Sequence, residues 1–305
     1  LGPHLYDDWE IVLCAMQWVS YYVDGPTSYN KKDVPPISEY LSNRDLQIIG
    51  HSLGEFHKSI FNLDDPTFKD ILMVGTTLSA RVMSHEPEKN MGLSPFNAKG
   101  KIQPSIFNRL FYLNKLTDIC VINATKFLIL PNDNMVRINE FYSEIVADRE
   151  NSEEVRALAS RSFNQILKTC AEQGFGDKDE KTHIQTERKL FLNMRSFVQK
   201  LLELPNSKEL LVASDEFQTH LLTLETLKSI VEKFGTTIVE QWVTIMDILN
   251  FPFLIIGKFD SEMQKEKLIK DNITLILKSS FETLKVILDE MLQSIPKSQV
   301  RVIID

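Results

Sequence analysis

An apolar repeat between residues 217 and 234 restricts the fold of this chain more than any other stretch. Its members are spaced three or four positions apart: Phe217, Leu221, Leu224, Leu227, Val231 and Phe234. That spacing places all of them on one face of an α-helix. Gly235 follows directly, at the position where a glycine often caps the end of a helix. The stretch therefore predicts an amphipathic helix that ends before Gly235.

The same spacing continues after this glycine and recurs along most of the chain. Ile238, Trp242, Ile245 and Leu249 predict the next helix, and Pro252 is expected just after its end. Asn151 and Glu154 are arranged as a capping box before another helix. Helices are predicted at 7–23, 44–62, 66–85, 104–122, 134–148, 152–172, 185–204, 209–234, 237–250 and 263–294.

Strands are not indicated, since no alternating apolar run is flanked by hairpin turns. The best strand candidate is "KFLILP" at 126–131, and a helix end fits that stretch equally well. The chain has 11 glycines in 305 residues, about half of ordinary usage, which also favours helices over short strands. Successive helix pairs with a unit of about 40 to 50 residues predict an all-α, armadillo/HEAT-like helical-repeat solenoid.

We expect one continuous array over 1–305, cut from a larger protein. Residues 1–4 resemble a cloning scar. The stretches 24–37 and 86–104 are rich in Pro, Gly, Asn and Lys and are predicted to be exposed loops, as is the shorter, charged stretch 174–183.

The charge and the cysteines exclude several classes of function. Lys and Arg number 34 against 42 Asp and Glu, a net charge of −8, which disfavours a nucleic-acid partner. Cys14, Cys120 and Cys170 are widely spaced and odd in number, which fits neither a disulfide framework nor a zinc site and indicates a reducing compartment. The sequence shows neither an apolar run of membrane-spanning length nor a signal peptide.

The motif that suggests catalysis is Gly50-His51-Ser52-Leu53-Gly54, the G-x-S-x-G pattern of serine hydrolases. A nucleophile elbow needs a strand before the serine and a helix after it. Here an apolar stripe of helical spacing runs from Leu46 to Ile60 straight through the motif. Small residues beside that stripe let a neighbouring helix approach. Chance alone produces the pattern in about one chain in ten of this length.

Partners for Ser52 in a catalytic triad are not evident. His85 and His183 lie in polar, loop-like stretches, and His220 is predicted on a helical surface. Ser52 is therefore interpreted as a helical packing residue, and no catalytic residue is predicted.

Metal and cofactor sites are not predicted either. His51 and His57 are six positions apart, so they lie on different helix faces. The stretch 177–183 fits a solvated loop, and Asn132, Asp133 and Asn134 lack the glycine and distal glutamate of a calcium loop. Trp9, Trp18 and Trp242 have helical spacing with aliphatic residues and are predicted to be core residues.

Several stretches carry a family resemblance, and their order along the chain matches it. They are "DDWEIVLCAMQWVSYYV" (7–23), "IFNRLFYLNKLTDICVINATKF" (106–127), "NSEEVRALASRSFNQILKTC" (151–170), "TLETLKSIVEKFGTTIVEQWVTIMDIL" (223–249) and "EKLIKDNITLILKSSFETLKVIL" (266–288). Together they resemble the C-terminal half of the Mon-two (monensin-sensitivity) Golgi scaffold family, which is similar to the large Golgi Arf exchange factors but lacks their catalytic domain.

The resemblance implies a large cytoplasmic scaffold, peripheral to late Golgi and endosome membranes, that serves protein transport without catalysis. Implied partners are a Dopey-family protein, an aminophospholipid flippase and an Arf-like GTPase, with indirect membrane contact and no cofactor. Two other hypotheses stay open: another HEAT-type adaptor in nuclear transport or a coat, and a serine hydrolase using Ser52. Which surface binds partners is unknown from the sequence.

Overall fold

The computed structural model describes residues 8–24, 42–59, 64–83, 106–129, 134–175, 180–203, 214–257 and 267–304. Within these ranges the backbone forms helices joined by turns, and no strand occurs. The helices are α1 (Asp8–Asp24), α2 (Asn43–Ser59), α3 (Asp65–Met83), α4 (Ile106–Ile122), α5 (Ala124–Ile129), α6 (Asn134–Ala147), α7 (Glu153–Gly174), α8 (Glu180–Glu203), α9 (Ser214–Phe234), α10 (Trp242–Ile256), α11 (Lys267–Val286) and α12 (Lys297–Ile304). The predicted all-α, helical-repeat class is confirmed.

The chain divides into two compact units, Leu1–Asn123 and Ala124–Asp305. In the first unit α1 packs against α2 and α3, and α3 packs against α4. Its core contains Leu13, Leu78 and Tyr112, with Leu53 and Phe56 of α2 packed against them. The single array over 1–305 stays a prediction. The expected scar at 1–4, the loop 86–104 and, apart from Asp24, the loop 24–37 lie outside the described residues.

In the second unit the helices pack in two rows. One row is formed by α7, α9 and α11, and the other by α6, α8 and α10. Contacts of α6 with α7, α7 with α8, and α10 with α11 join the rows. This is the packing of a helical-repeat protein, in which each helix pair covers the apolar face of the next.

Aromatic side chains fill the space between the rows. Phe163 of α7 and Phe197 of α8 lie with ring centroids 4.7 Å apart, and both are fully buried. Trp242 is 0% exposed, and its indole N–H donates to the backbone oxygen of Ile238 at 3.1 Å. Trp9 is 3% exposed in the first unit. The predicted core positions of Trp9 and Trp242 are confirmed, and the side chain of Trp18 lies outside the described residues.

An ion pair bridges consecutive helices of each row at the solvent-facing rim. The pairs are Glu140–Lys200 between α6 and α8 (3.9 Å), Glu172–Lys233 between α7 and α9 (3.1 Å), Arg195–Asp247 between α8 and α10 (3.2 Å), and Lys228–Glu282 between α9 and α11 (2.7 Å). Each is partly exposed, so each contributes only about 0–1 kcal/mol to stability. Their regular occurrence nevertheless shows how charge is matched when one helix covers another.

The helix around Pro252 differs from its prediction at both ends. It was expected at 237–250, with Pro252 beyond its end, but α10 begins at Trp242 and continues through Pro252 to Ile256. A proline removes the backbone N–H that bonds the carbonyl four residues earlier and crowds that turn. The Ser280 hydroxyl of α11 donates to the backbone oxygen of Leu249 at 2.6 Å. Pro252 leaves the carbonyl of Ile248 without its helical donor, and the Ser280 hydroxyl bonds the next carbonyl along the chain, in the turn just before the proline.

Three local predictions also need correction. The cap of α7 is Ser152, whose side chain accepts from the Val155 N–H at 3.4 Å, whereas the Asn151 amide turns back to Ile145 and Asp148. The strand candidate at 126–131 is helical as far as Ile129. The loop expected at 174–183 ends earlier, since α8 begins at Glu180.

Gly235 serves a different purpose from the predicted cap. It begins a 3-10 turn (Gly235–Thr237) without adopting the left-handed backbone of a glycine cap. A Cβ built on Gly235 would lie 2.8 Å from the sulfur of Met291, in the π-helical turn Ile287–Met291 that continues α11. Close packing therefore favours glycine here, since any larger residue would require the Met291 side chain to move. The helix α12 was not predicted.

Candidate protein-interaction surface

Ser52 lies in the middle of α2, with helix on both sides of it. Its side chain is exposed, and its hydroxyl donates to the backbone oxygen of Ile48 at 2.9 Å. The strand–turn–helix of a nucleophile elbow is therefore not formed. A packing role for Ser52 is also wrong, because the side chain is exposed, and a Cβ built on Gly54 would meet no atom within 4 Å. Leu53 and Phe56 of the same stripe do pack on the core as expected.

The histidines singled out from the sequence are placed differently from their predictions. His183 belongs to α8, and its Nε2 lies 2.8 Å from the backbone oxygen of Thr237. His220 is 3% exposed in α9, so it is a core residue and not a surface one. It lies with Val198 and Ile248 in the wall of a small apolar cavity. His85 and the side chain of His57 lie outside the described residues.

The described part of the chain contains no cluster of His, Cys, Asp and Glu that could hold a metal ion. Asn134 is the buried first residue of α6, whereas Asn132 and Asp133 are not described. None of the three cysteines forms a disulfide. Among the described helices, none combines the length and the apolarity needed to cross a bilayer.

The feature most suited to binding is an exposed apolar surface formed by α10 and α11. Phe253 and Phe281 are 46% and 53% exposed, and their rings meet edge to face at 5.8 Å. Leu288 is 42% exposed, and Leu277 and Leu284 are half-buried. We call this set the apolar seam: Phe253, Leu277, Phe281, Leu284 and Leu288. Contiguous apolar surface of this kind marks interaction sites in folded proteins.

The apolar seam lies on the side of α11 that faces away from α9. Leu277, Phe281, Leu284 and Leu288 are spaced by four, three and four positions, which aligns them along one face. Buried Thr283 lies about 160° around the helix axis from Phe281, at roughly 100° per residue. A further helix in the row α7–α9–α11 would pack on this open side.

Exposed lysines border the apolar seam. Lys278 and Lys285 are exposed on α11 three and four positions from Phe281, and Lys270 is exposed in the first turn of the helix. The nearest acid is Glu282, 3.8 Å from Lys278, but it already accepts a hydrogen bond from Lys228 of α9 at 2.7 Å. That hydrogen bond lowers the pKa of Glu282 and raises the pKa of Lys228. Glu282 is thus engaged mainly with α9, which leaves a basic edge beside the seam.

The position of α10 within the surface depends on a buried acid of α8. The carboxylate of Glu187, 0% exposed, accepts the backbone N–H groups of Val239 (3.1 Å), Glu240 (2.8 Å) and Gln241 (2.6 Å). These groups precede the first turn of α10, where backbone donors have no partner within the helix. Glu187 of α8 therefore caps the beginning of α10.

Sequence reasoning missed both Glu187 and the apolar seam. A cap supplied from 52 residues away has no local signature. The sequence predicted a helix at 263–294 but assigned its apolar residues to no face, and they form two stripes. The signal in the sequence is the width of the apolar face, since Ile276 and Phe281 cannot both face the same neighbour.

The fold and the apolar seam together define a helical-repeat protein with an exposed apolar helix face. The chain is similar over its whole length to Protein MON2 of Saccharomyces cerevisiae, at 27% identity over 340 aligned positions. The alignment covers 100% of this chain and 20% of that protein, so the chain spans about a fifth of the length of this relative. This similarity confirms the resemblance to the Mon-two family. No protein-family profile and no solved structure gives a significant match.

Proposed function

We propose that this chain is part of a non-catalytic scaffold in endosome-to-Golgi vesicle trafficking. The observation that carries the proposal is the similarity to Protein MON2 along the entire chain. The helical-repeat fold supports it, because such folds offer extended surfaces on which several proteins assemble. The apolar seam offers one exposed surface of this kind.

The proposal includes the partners and the location that the family resemblance implies. A Dopey-family protein, an aminophospholipid flippase and an Arf-like GTPase are the partners, and the protein is peripheral on late Golgi and endosome membranes. The net charge of −8 argues against direct adhesion to anionic lipid, which needs clusters of Lys and Arg. Recruitment through proteins is therefore the mechanism we propose.

Catalysis of nucleotide exchange is not part of the proposed function. Exchange on an Arf-type GTPase requires an acidic side chain presented to the phosphates and the metal of the nucleotide. Glu187 is unsuited to that task, since its carboxylate is buried and holds backbone N–H groups. A scaffold requires only exposed surface, and stable protein pairs bury about 800 Å² on each partner.

The direct test is the location of the native protein in its own cells. The endogenous gene is tagged with a fluorescent protein and imaged with markers of the late Golgi, the endosomes and the nuclear envelope. We expect overlap with the late Golgi and endosome markers. Accumulation at the nuclear envelope would favour the HEAT-type transport adaptor and contradict the proposal.

Two assays with the purified chain test the mechanism. Release of a fluorescent guanine nucleotide from Arf and Arf-like GTPases should be no faster with the chain than without it. Flotation with vesicles containing anionic lipid should leave the chain in the soluble fraction. Acceleration in the first assay would make the protein an exchange factor, and flotation in the second would make it a direct membrane binder.

A further inference from the structure

We propose that α10 contains a hinge at Pro252, about which its last turn, residues 253–257, opens as one unit while the rest of the helix stays in place. Opening carries Phe253 away from Phe281 and gives the apolar seam a closed and an open form. The hinge is a property of the second unit and is independent of the proposed trafficking function. The backbone at Pro252, the contacts on either side of it and the packing beneath it each support this device.

The backbone of α10 is interrupted where the hinge lies. Pro252 has no N–H, so the carbonyl of Ile248 lacks its helical donor, and the proline ring crowds the same turn. In an α-helix the N–H groups of residues 253–255 bond the carbonyls of residues 249–251, and these bonds cross the proline. A rotation at Pro252 therefore breaks one hydrogen bond fewer than it would in an uninterrupted helix.

Polar contacts with other helices hold the part of α10 that precedes Pro252. The buried carboxylate of α8 caps its beginning, and Asp247 pairs with Arg195 of α8 at 3.2 Å. The Ser280 hydroxyl of α11 donates to the Leu249 oxygen at 2.6 Å, in the turn just before the proline. The first part of α10 is therefore attached to both of the helices beside it.

The last turn lacks attachments of this kind. Within the described part of the chain, residues 253–257 form no hydrogen bond or ion pair with a different helix. The Gly257 N–H donates to the Phe253 oxygen at 3.0 Å, inside the turn itself. Phe253 packs edge to face on Phe281 of α11, with ring centroids 5.8 Å apart. The turn is thus held by apolar contact, which is non-directional and permits rotation.

The packing beneath the hinge is incomplete. Pro252 lies in the wall of a small apolar cavity together with Ile248 and Phe251, and the wall also includes Val198 of α8 and Ile276 of α11. Protein interiors are normally close-packed, and atoms beside a void lose attractive contacts. Fewer contacts therefore have to be broken when the backbone rotates at this point.

Fraying of the helix end is the competing explanation for motion here. A fraying helix loses its hydrogen bonds one after another from the last residue inwards, so protection against hydrogen exchange rises gradually into the helix. A hinge breaks the bonds across Pro252 together. The amides of residues 253–256 would then share one opening free energy, which distinguishes the two mechanisms.

The test is amide hydrogen exchange of the purified chain, resolved to single residues by mass spectrometry with electron-transfer fragmentation. After correction for intrinsic rates, we expect residues 253–256 to exchange at one common rate, at least about tenfold faster than residues 245–249. A rate that increases step by step toward residue 256 would indicate fraying and overturn the proposal.

A pair of proline variants tests the pivot. Pro252→Ala restores the N–H donor to Ile248 and should slow exchange of residues 253–256 by about tenfold or more. Pro66→Ala is the matched control, because Pro66 lies in the first turn of α3, where an N–H has no partner within the helix. It should leave exchange in α3 unchanged. Unchanged exchange of residues 253–256 in Pro252→Ala would overturn the hinge, and circular dichroism verifies that each variant is folded.

A second pair tests the attachment to α11. Phe281→Ser removes the ring that holds Phe253 and should speed exchange of residues 253–256 by about threefold or more. Leu275→Ser is the control, because Leu275 is 50% exposed on the same helix but about 120° away from Phe281. Equal rates in the two variants would show that the Phe253–Phe281 contact does not hold the turn closed. Each of these results is independent of cellular location, so the hinge can fail while the trafficking function stands.

Discussion

The buried Glu187 should be among the most sensitive positions of the second unit. In Glu187→Gln the amide oxygen can still accept from Glu240 and Gln241, but the amide nitrogen faces the Val239 N–H, which needs an acceptor. One charge-assisted bond is lost and two donors oppose each other, at a cost of about 2 kcal/mol. Glu187→Ala leaves all three N–H groups without an acceptor and should cost about 4 kcal/mol.

The free energy of unfolding is measured by urea titration with tryptophan fluorescence. A Trp9→Phe, Trp18→Phe background leaves Trp242 as the only tryptophan, adjacent to the capped turn. Glu140→Gln is the matched control, since its carboxylate is 55% exposed and 3.9 Å from its lysine partner, and it should change stability by less than about 1 kcal/mol. If Glu187→Gln were as mild as this control, the carboxylate would not hold α10 and our account of the turn would be refuted.

Three other substitutions test the packing and the motif. Ser52→Ala should change stability by less than about 0.5 kcal/mol. A fluorophosphonate probe should not label the wild-type protein. Labelling of the wild-type protein that is lost in Ser52→Ala would restore the hydrolase hypothesis. Trp242→Ala should cost about 3–5 kcal/mol in urea unfolding, and an unchanged transition would place Trp242 on the surface. Ser280→Ala removes the hydroxyl donor to Leu249 and should lower the free energy of unfolding by about 1–3 kcal/mol. Thr274→Ala, on the exposed side of α11, is the control and should lower it less. Equal effects of the two substitutions would mean that the turn of α10 needs no such support.

Local periodicity predicted the elements of the fold well. The stripe from Phe217 to Phe234 is a helix that ends where the sequence indicated, and Trp242 is buried. These predictions succeeded because each depends on residues close together in the chain. The continuous stripe through Ser52 likewise predicted a helix in place of an elbow, and α2 confirms it.

Predictions that depended on tertiary contacts failed. Pro252 normally ends a helix, but α10 continues through it, and Ser280 of another helix donates to the Leu249 carbonyl in the turn before it. His220 was predicted on the surface because only the residues of its own helix were considered. In the structure, helices of both rows cover its side chain. Glu187 could not be recognised as a cap from the sequence. Its carboxylate meets the backbone N–H groups before α10 only when α8 packs beside α10. The apolar seam depends on the same packing.

We propose that this chain contributes a protein-binding surface to a trafficking scaffold. The most direct measurement is the rate at which an endosome-to-Golgi cargo is recycled in cells whose endogenous gene carries Phe281→Ser. Cells carrying Leu275→Ser, with the same level of protein, are the comparison. We predict slower recycling with Phe281→Ser and normal recycling with Leu275→Ser. Recycling at the wild-type rate in both strains would contradict the account.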